Sequence, residues 1–200
     1  TNGAANTVTV LDLVYLRQDK VLQVGQSPSG IAVNPVRNEV YVANAGSGTV
    51  TVINTELNRI EATIGVQRGP YSIAVSPDGK RAYTANSGSN SVSVIDLDTR
   101  RQIAVVGAGE KPGVVVVAPD DRAVVVTNRE SGSVSVYAVS TEQAAPPLKL
   151  RSTWGNCPEA TDAVIIKDST KVFVTCSSNR QVMAVWLAAD PNEWRGKQDP

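Results

Sequence analysis

Residues 69–106 read GPYSIAVSPDGKRAYTANSGSNSVSVIDLDTRRQIAVV and contain four short strand patterns. The apolar run 71–76 leads into the turn sequence SPDG, whose Pro and Gly suit the second and fourth positions of a β-turn. Residues 80–86 form the second pattern, and the small polar residues 87–90 favour another tight turn. Ser and Val alternate at the start of the third pattern, 91–96, and residues 100–106 form the fourth. This stretch therefore predicts four antiparallel strands and no helix.

The same pattern recurs along the chain with a period of 42 residues. The segments PSGIAVNP, PYSIAVSP and PGVVVVAP open at three prolines that lie one period apart: Pro28, Pro70 and Pro112. A fixed period of this size with four strands per unit predicts a β-propeller, an all-β fold in which each unit is one four-stranded antiparallel blade. The innermost strands, at 31–33, 73–75 and 114–118, are nearly unbroken apolar runs, so we expect neighbouring blades to cover both of their faces.

The period also divides the chain into blades. Residues 1–24 form a half blade, and full blades are predicted over 26–66, 68–108 and 110–153. Residues 157–187 form an incomplete blade, and 188–200 form a connection. In the third full blade, AAPP at 144–147 is expected to leave the sheet because proline has no N–H for a strand ladder. Closing these units into a ring would duplicate a third strand, so we expect a slice of a longer ring. A five-bladed ring closed by a partner or by an unusual seam is the alternative.

Several recurring motifs resemble the YVTN-repeat β-propeller family, which includes YncE-like and surface-layer-associated proteins. The motif of the family name stands as YVAN at 41–44, YTAN at 83–86, VTN at 126–128 and FVTC at 173–176, and SPDG and VIDL stand at 76–79 and 94–97. The resemblance covers almost the whole chain and implies a ring of about seven blades. It implies less about function, because a propeller fold carries many activities.

Composition and charge bear on which partners and which chemistry the sequence supports. Nineteen basic and nineteen acidic residues give a formal net charge of zero, so charge supplies no support for nucleic-acid binding, a role known among YncE-like relatives. We expect no membrane span in this slice. Histidine is absent from the 200 residues, which removes the usual general base, the Ser-His and Cys-His nucleophile pairs and the commonest metal ligand. We therefore predict no catalytic residue, no metal site and no cofactor within these residues.

Cys157 and Cys176 are the only cysteines, and they fall at the same end of one predicted hairpin. A disulfide, which would indicate an oxidising compartment, and a pair of partly buried thiols are both compatible with this placement. Two cysteines without histidine do not make a zinc site.

In a propeller, the loops between the second and third strands and those between blades emerge on one face, where ligands bind. The asparagines that end the second strands recur in every full blade, so we expect their amides to tie the turn backbone. The better candidates for binding are residues that do not repeat, namely Arg68, Lys111, Arg129, Glu130 and Trp154. Packing of Trp154 under the proline loop at 146–147 is the alternative for that side chain.

Together these features predict a non-enzymatic, extracytoplasmic propeller that presents loops to a protein, a glycan or another cell-envelope component. The alternative is a propeller domain or subunit of an enzyme or electron-transfer protein, lactonase-like or linked to quinone or haem, whose catalytic residues lie outside this slice.

Overall fold

The computed structural model of the protein describes residues 1–140, 142 and 145–187, so the predicted connection at 188–200 lies outside the described residues. Among the described residues there are seventeen strands and no helix, and hence no helix that could span a bilayer. The half blade contains β1 (Thr7–Asp12) and β2 (Arg17–Gln23). The first full blade contains β3 (Pro28–Val33), β4 (Glu39–Asn44), β5 (Thr49–Asn54) and β6 (Arg59–Gly65). The second contains β7 (Pro70–Val75), β8 (Arg81–Asn86), β9 (Ser91–Asp96) and β10 (Arg101–Gly107). The third contains β11 (Pro112–Val117), β12 (Ala123–Asn128), β13 (Ser133–Val139) and β14 (Leu148–Trp154). The last blade contains β15 (Ala160–Ile165), β16 (Lys171–Cys176) and β17 (Gln181–Trp186).

Each blade is a separate antiparallel sheet in which every strand pairs with the next one along the chain. The first strands of successive full blades lie against each other, from β3 to β7 to β11 to β15, whereas the fourth strands touch only marginally. The sheets therefore fan out from an axis near their first strands, which is the arrangement of a propeller. The predicted fold class is confirmed.

Local turn chemistry fixes where these strands end. Asn54 Oδ1, at the end of β5, accepts the backbone N–H groups of Glu56 at 3.0 Å and Leu57 at 2.9 Å. The following Asn58 then takes a φ of +46°, which Asn tolerates better than most residues. This turn reverses the chain into β6, and an equivalent one follows β1 and β9. The short connections are what allow a blade to fit within one period.

The core lies between blades, and it is centred on the second and third strands. Three tyrosines, Tyr41, Tyr83 and Tyr137, are the largest fully buried side chains. The innermost strands differ from one another. Ile73 in β7 is buried against the first full blade, but Ile31 and Val33 in β3 are 50% and 66% exposed.

The expectation of two covered faces is therefore wrong for β3. The physical reason is that the half blade has only its third and fourth strands, so no second strand covers Ile31 as β4 covers Ile73. In the third blade, Ala145–Pro147 precede β14 and lie outside the sheet, as predicted, while Ala144 is outside the described residues.

Candidate functional site

The repeated asparagines act as clamps inside the blades. Asn86, at the end of β8, is fully buried, and its Nδ2 donates to Ser91 Oγ at 3.2 Å and Ser93 Oγ at 2.9 Å. Equivalent bonds join Asn44 to Thr49 and Thr51, Asn128 to Ser133 and Ser135, and Asn2 to Thr7 and Thr9. The amide nitrogens thus donate to hydroxyl groups of the next strand and not to the turn backbone, so the prediction of a structural role named the wrong partners, although Asn128 Oδ1 also accepts the backbone N–H of Gly109 at 3.1 Å. Asn44, Asn86 and Asn128 are fully buried, so these three are not available to a ligand.

The turn that follows each clamp differs from blade to blade. After Asn44 it begins Ala-Gly, and after Asn86 it begins Ser-Gly. After Asn128, however, the chain continues with Arg129 and Glu130. The third blade therefore places two charged side chains where the repeat otherwise has small residues, at its junction with the last blade.

A cleft of about 740 Å³ opens at this junction. Three loops line it: the one before β11, the clamp turn after β12 and the one before β15. Its lining residues are Lys111, Arg129, Glu130, Ser131, Gly132, Asn156, Pro158 and Glu159. The cleft is thus formed by the inter-blade and second-to-third-strand loops, which share one face of the propeller.

Charges of both signs face this cleft. Lys111 Nζ and Glu130 Oε1 form an ion pair between side chains that are more than half exposed, so the pair adds little stability. The stem of Arg129 lies over Gly113, where an added Cβ would be 3.2 Å from Arg129 Cγ and Cδ. Within the described part of the chain, the guanidinium of Arg129 has no ion-pair partner. It therefore remains available to an anionic group in the cleft.

The loop before β15 carries the remaining polar groups of the cleft. Asn156 and Glu159 have φ values of +66° and +51°, in the left-handed region that Asn tolerates better than most residues, and Lys111 has the same conformation at the position equivalent to Glu159. Between them, Cys157 donates its backbone N–H to Gly132 O at 3.0 Å. The structure joins Cys157 to Cys176 in a disulfide, the first of the two alternatives that the sequence left open.

The structure brings together three of the five predicted binding residues: Lys111, Arg129 and Glu130. Arg68 lies on the equivalent inter-blade loop one blade earlier, where its carbonyl accepts from Ser89 Oγ at 3.3 Å, and it does not line the cleft.

Trp154 ends β14 and also lies outside the cleft lining. Its Nε1 donates to Ser152 Oγ at 3.1 Å, and its ring packs on the apolar core between the third and last blades. The sequence did not single out Asn156 and Glu159, which lie in the loop before β15 and line the cleft. Their departure from the repeat is hidden by the longer connection before β14, which shifts the period.

The opposite face has a second cleft of about 700 Å³, lined by the turns before β12 and β16. Burial, followed by the charge of Asp78, raises the pKa of Asp121 to about 6. Burial also raises the pKa of Tyr83 to about 12. Asp121 Oδ1 is buried and has no hydrogen-bond partner among the residues that the structure describes. Within the described ranges, no group of three or more Asp, Glu, Cys or His side chains could hold a metal ion.

Comparison with known families identifies the propeller type. A model described as "Lactonase, 7-bladed beta-propeller" matches residues 55–155, just over half of the chain. The chain belongs to this lactonase family. No curated protein matches this lactonase-family propeller.

Solved structures share its fold. Hydrazine synthase from Kuenenia stuttgartiensis matches with a TM-score of 0.76 and 23% identity, over 94% of this chain and 59% of that one. A putative 6-phosphogluconolactonase from Bacteroides uniformis matches with a TM-score of 0.76 and 15% identity, over 92% and 61%. Dihydro-heme d1 dehydrogenase NirN, in complex with DHE, matches with a TM-score of 0.75 and 16% identity, over 92% and 40%. This lactonase-family propeller therefore spans at most about three fifths of these chains.

Proposed function

We propose that the chain is part of a lactonase-type enzyme and that the cleft at the junction of the third and last blades binds a hydroxylated carboxylic acid or its lactone. The observation that carries the proposal is the Arg129 guanidinium, which has no ion-pair partner among the described residues, in a mixed-charge cleft of a lactonase-family chain. The lactonase-like alternative is thus preferred to a purely non-enzymatic scaffold.

The side chains of the cleft suit such a ligand. A guanidinium binds a carboxylate through two parallel hydrogen bonds, so Arg129 would take the acid group. The amide of Asn156 and the carboxylate of Glu159 can donate to and accept from the hydroxyl groups of the same molecule. Lys111, already paired with Glu130, would line the cleft without carrying the anion.

Hydrolysis of a lactone needs a donor for the carbonyl oxygen and a base for the attacking water. In our proposal Arg129 stabilises the carbonyl oxygen, and Glu159 accepts a proton from water as the water oxygen attacks the carbonyl carbon. The ring C–O bond then breaks, and the proton passes to the leaving ring oxygen. The product is the open hydroxy acid, which the same guanidinium would hold as its carboxylate.

The test uses gluconate and glucono-δ-lactone as probes, with calorimetry for binding and a pH-stat for hydrolysis. Arg129→Ala should weaken gluconate binding by about tenfold to a hundredfold, the range expected for a charge-assisted hydrogen bond. Arg68→Ala is the matched control, since it removes the same side chain one blade away from the cleft. Glu159→Gln should bind gluconate but lose lactone hydrolysis. Equal effects of the two arginine variants, or no binding by the wild type, would overturn the proposal.

A second candidate is the scaffold function predicted first, in which loops are presented to a protein, glycan or cell-envelope partner. It is favoured by one observation: Leu13, Val14, Tyr15 and Leu16 form the turn between β1 and β2 and are 72–84% exposed. Large exposed apolar groups on a turn often mark a contact with another molecule. If this is the function, replacing Val14 and Leu16 by serine should abolish partner capture, and the chain should not hydrolyse the lactone.

Three further assignments belong to the proposal. The motif series YVAN, YTAN and VTN supports membership of the YVTN-repeat, YncE-like subgroup. The Cys157–Cys176 disulfide supports an extracytoplasmic, oxidising location. In a haem-linked role, any histidine ligand of the iron would come from outside these 200 residues, which contain no histidine. Titration of the protein with haem, with the visible absorbance as readout, would test that role.

A further inference from the structure

We infer that the Cys157–Cys176 disulfide positions the ligand-binding cleft by taking the place that an asparagine clamp fills in the other blades. The inference rests on the proposed function for its ligand, but the placement of the disulfide stands on geometry alone. It assigns a role in binding to two residues that are themselves fully buried and touch no ligand.

Cys176 occupies the clamp position of the last blade. It is the final residue of β16, as Asn128 is the final residue of β12. Asn128 pairs with Ser133 across its hairpin, and Cys176 pairs with Gln181 in the same register. The second hydroxyl that binds Asn128 comes from Ser135, two residues further on, and the corresponding residue of the last blade is Met183. The asparagine and both of its hydroxyl partners are therefore missing together from this blade.

Cys157 lies on the inter-blade loop, at the position that contacts the clamp in the third blade. It lies three residues before the start of β15, as Gly109 lies three residues before β11. Gly109 donates its N–H to Asn128 Oδ1 at 3.1 Å, and a Cβ added to Gly109 would lie only 2.8 Å from Asn128 Cβ. Gly25 fills the equivalent position of the first full blade, whereas the second carries Gln67 there beside the intact Asn86 clamp. In the last blade Cys157 and Cys176 together replace the clamp contact, and the disulfide joins backbone positions whose Cα atoms are 4.8 Å apart.

The position of the disulfide determines what it holds. Asn156 and Pro158, the neighbours of Cys157, both line the cleft, as does Glu159. Two backbone hydrogen bonds support this loop: Cys157 N–H to Gly132 O at 3.0 Å and Ser177 N–H to Glu159 O at 3.3 Å. Glu159 has the positive φ that Lys111 has at the equivalent position of the third blade, where the Asn128 clamp holds the inter-blade loop through the N–H of Gly109. In the last blade the disulfide is the corresponding anchor, and it connects one wall of the cleft to the core of that blade.

The repeat itself supplies the control. One variant replaces both cysteines by alanine, Cys157→Ala with Cys176→Ala, and removes the anchor. A second variant installs the clamp of the other blades, with Cys157→Gly, Cys176→Asn, Gln181→Ser and Met183→Ser. The amide hydrogen-exchange rates of residues 155–159 report how often the loop opens, with residues 69–106 as the internal reference. Calorimetry with gluconate reports the cleft.

We expect the alanine variant to speed exchange in residues 155–159 by about tenfold or more relative to the reference blade, and to weaken gluconate binding by a similar factor. The clamp variant should recover both to within about threefold of the wild type. The inference would be overturned if residues 155–159 of the alanine variant exchanged at the wild-type rate. It would also be overturned if they exchanged as fast in the clamp variant as in the alanine variant. If the alanine variant does not fold, the clamp variant alone decides: protection of the amides of residues 155–159 supports the inference, and loss of that protection contradicts it. If the wild type binds no gluconate, the proposed function fails, and the exchange data still decide this inference.

Discussion

Replacing Asn86 by alanine should lower the free energy of unfolding by about 3 kcal/mol, which is a large share of the stability of an ordinary domain. Asn86 makes three buried hydrogen bonds between side chains. Its Nδ2 donates to Ser91 and Ser93, and its Oδ1 accepts from Thr84 Oγ1 at 2.9 Å. The side chain is fully buried at the end of β8, where water cannot replace these partners.

The magnitude follows from these contacts. A neutral hydrogen bond contributes about 1 kcal/mol net, so three of them contribute about 3 kcal/mol. The serine hydroxyls keep other partners, since Ser91 also bonds Ser89 and Ser93 also accepts the N–H of Gln67. Only the buried Thr84 hydroxyl loses the acceptor to which it donates. The penalty for an unsatisfied buried group therefore arises once, and the total stays near the sum of the three bonds.

Equilibrium unfolding in urea, followed by circular dichroism, measures this change. Asn38→Ala is the matched control, because Asn38 is exposed and its side chain bonds Glu56 at the surface. This variant should change the free energy of unfolding by no more than about 0.5 kcal/mol. A double-mutant cycle between Asn86→Ala and Ser93→Ala should give a coupling energy of about 1 kcal/mol. If Asn86→Ala costs less than about 1 kcal/mol, or no more than the control, the clamp is not what holds the blade.

Three further outcomes follow from single residues. Burial raises the pKa of Asp121 from its usual 3.8 to about 6, so the folded state favours the protonated carboxyl. The stability that this gives is present below about pH 4 and is lost as the pH rises through 6. Asp121→Asn should therefore remove the fall in the free energy of unfolding between these pH values, measured by urea unfolding. Gly109→Ala should cost about 2 kcal/mol in the same assay, because the new Cβ would lie 2.7 Å from Asn128 Cγ, whereas Gly107→Ala, with nothing within 4 Å, should cost much less. Leu16 has a φ of +50° and is 84% exposed, and Asn tolerates this conformation better than Leu. Leu16→Asn should therefore raise the free energy of unfolding by about 0.5 kcal/mol, and a decrease would contradict the turn geometry.

Local signals in the sequence were sufficient for the fold. The strand predicted over 80–86 is Arg81–Asn86 in the structure, and the one predicted over 91–96 is Ser91–Asp96. Both were bounded by turn residues whose backbone preferences act over only four residues, and the repeat provided several independent examples of each turn. The exposure of Ile31 could not be predicted in this way, because burial depends on which strands the adjacent sheet contains.

The candidate site was accessible from the sequence only in part. Lys111, Arg129 and Glu130 differ from the residues one period away, and that difference is visible without a structure. Asn156 and Glu159 follow the longer connection before β14, so the period no longer aligns them with a reference. Their proximity to Arg129 depends on how the last blade packs on the third, and the residue pattern does not show that packing.

Two departures from the repeat occur at the same junction. The clamp turn of the third blade exchanges small residues for Arg129 and Glu130, and the last blade exchanges its clamp for the Cys157–Cys176 disulfide. The charged residues add little to the stability of this turn, because the Lys111–Glu130 pair is exposed and the same turn forms elsewhere with Ala-Gly or Ser-Gly. The first change is therefore better explained by recognition of a ligand. The second change fixes the loop that faces those charges. A binding site accounts for both, because charge supplies recognition and a rigid opposite wall reduces the entropy lost when a ligand is bound.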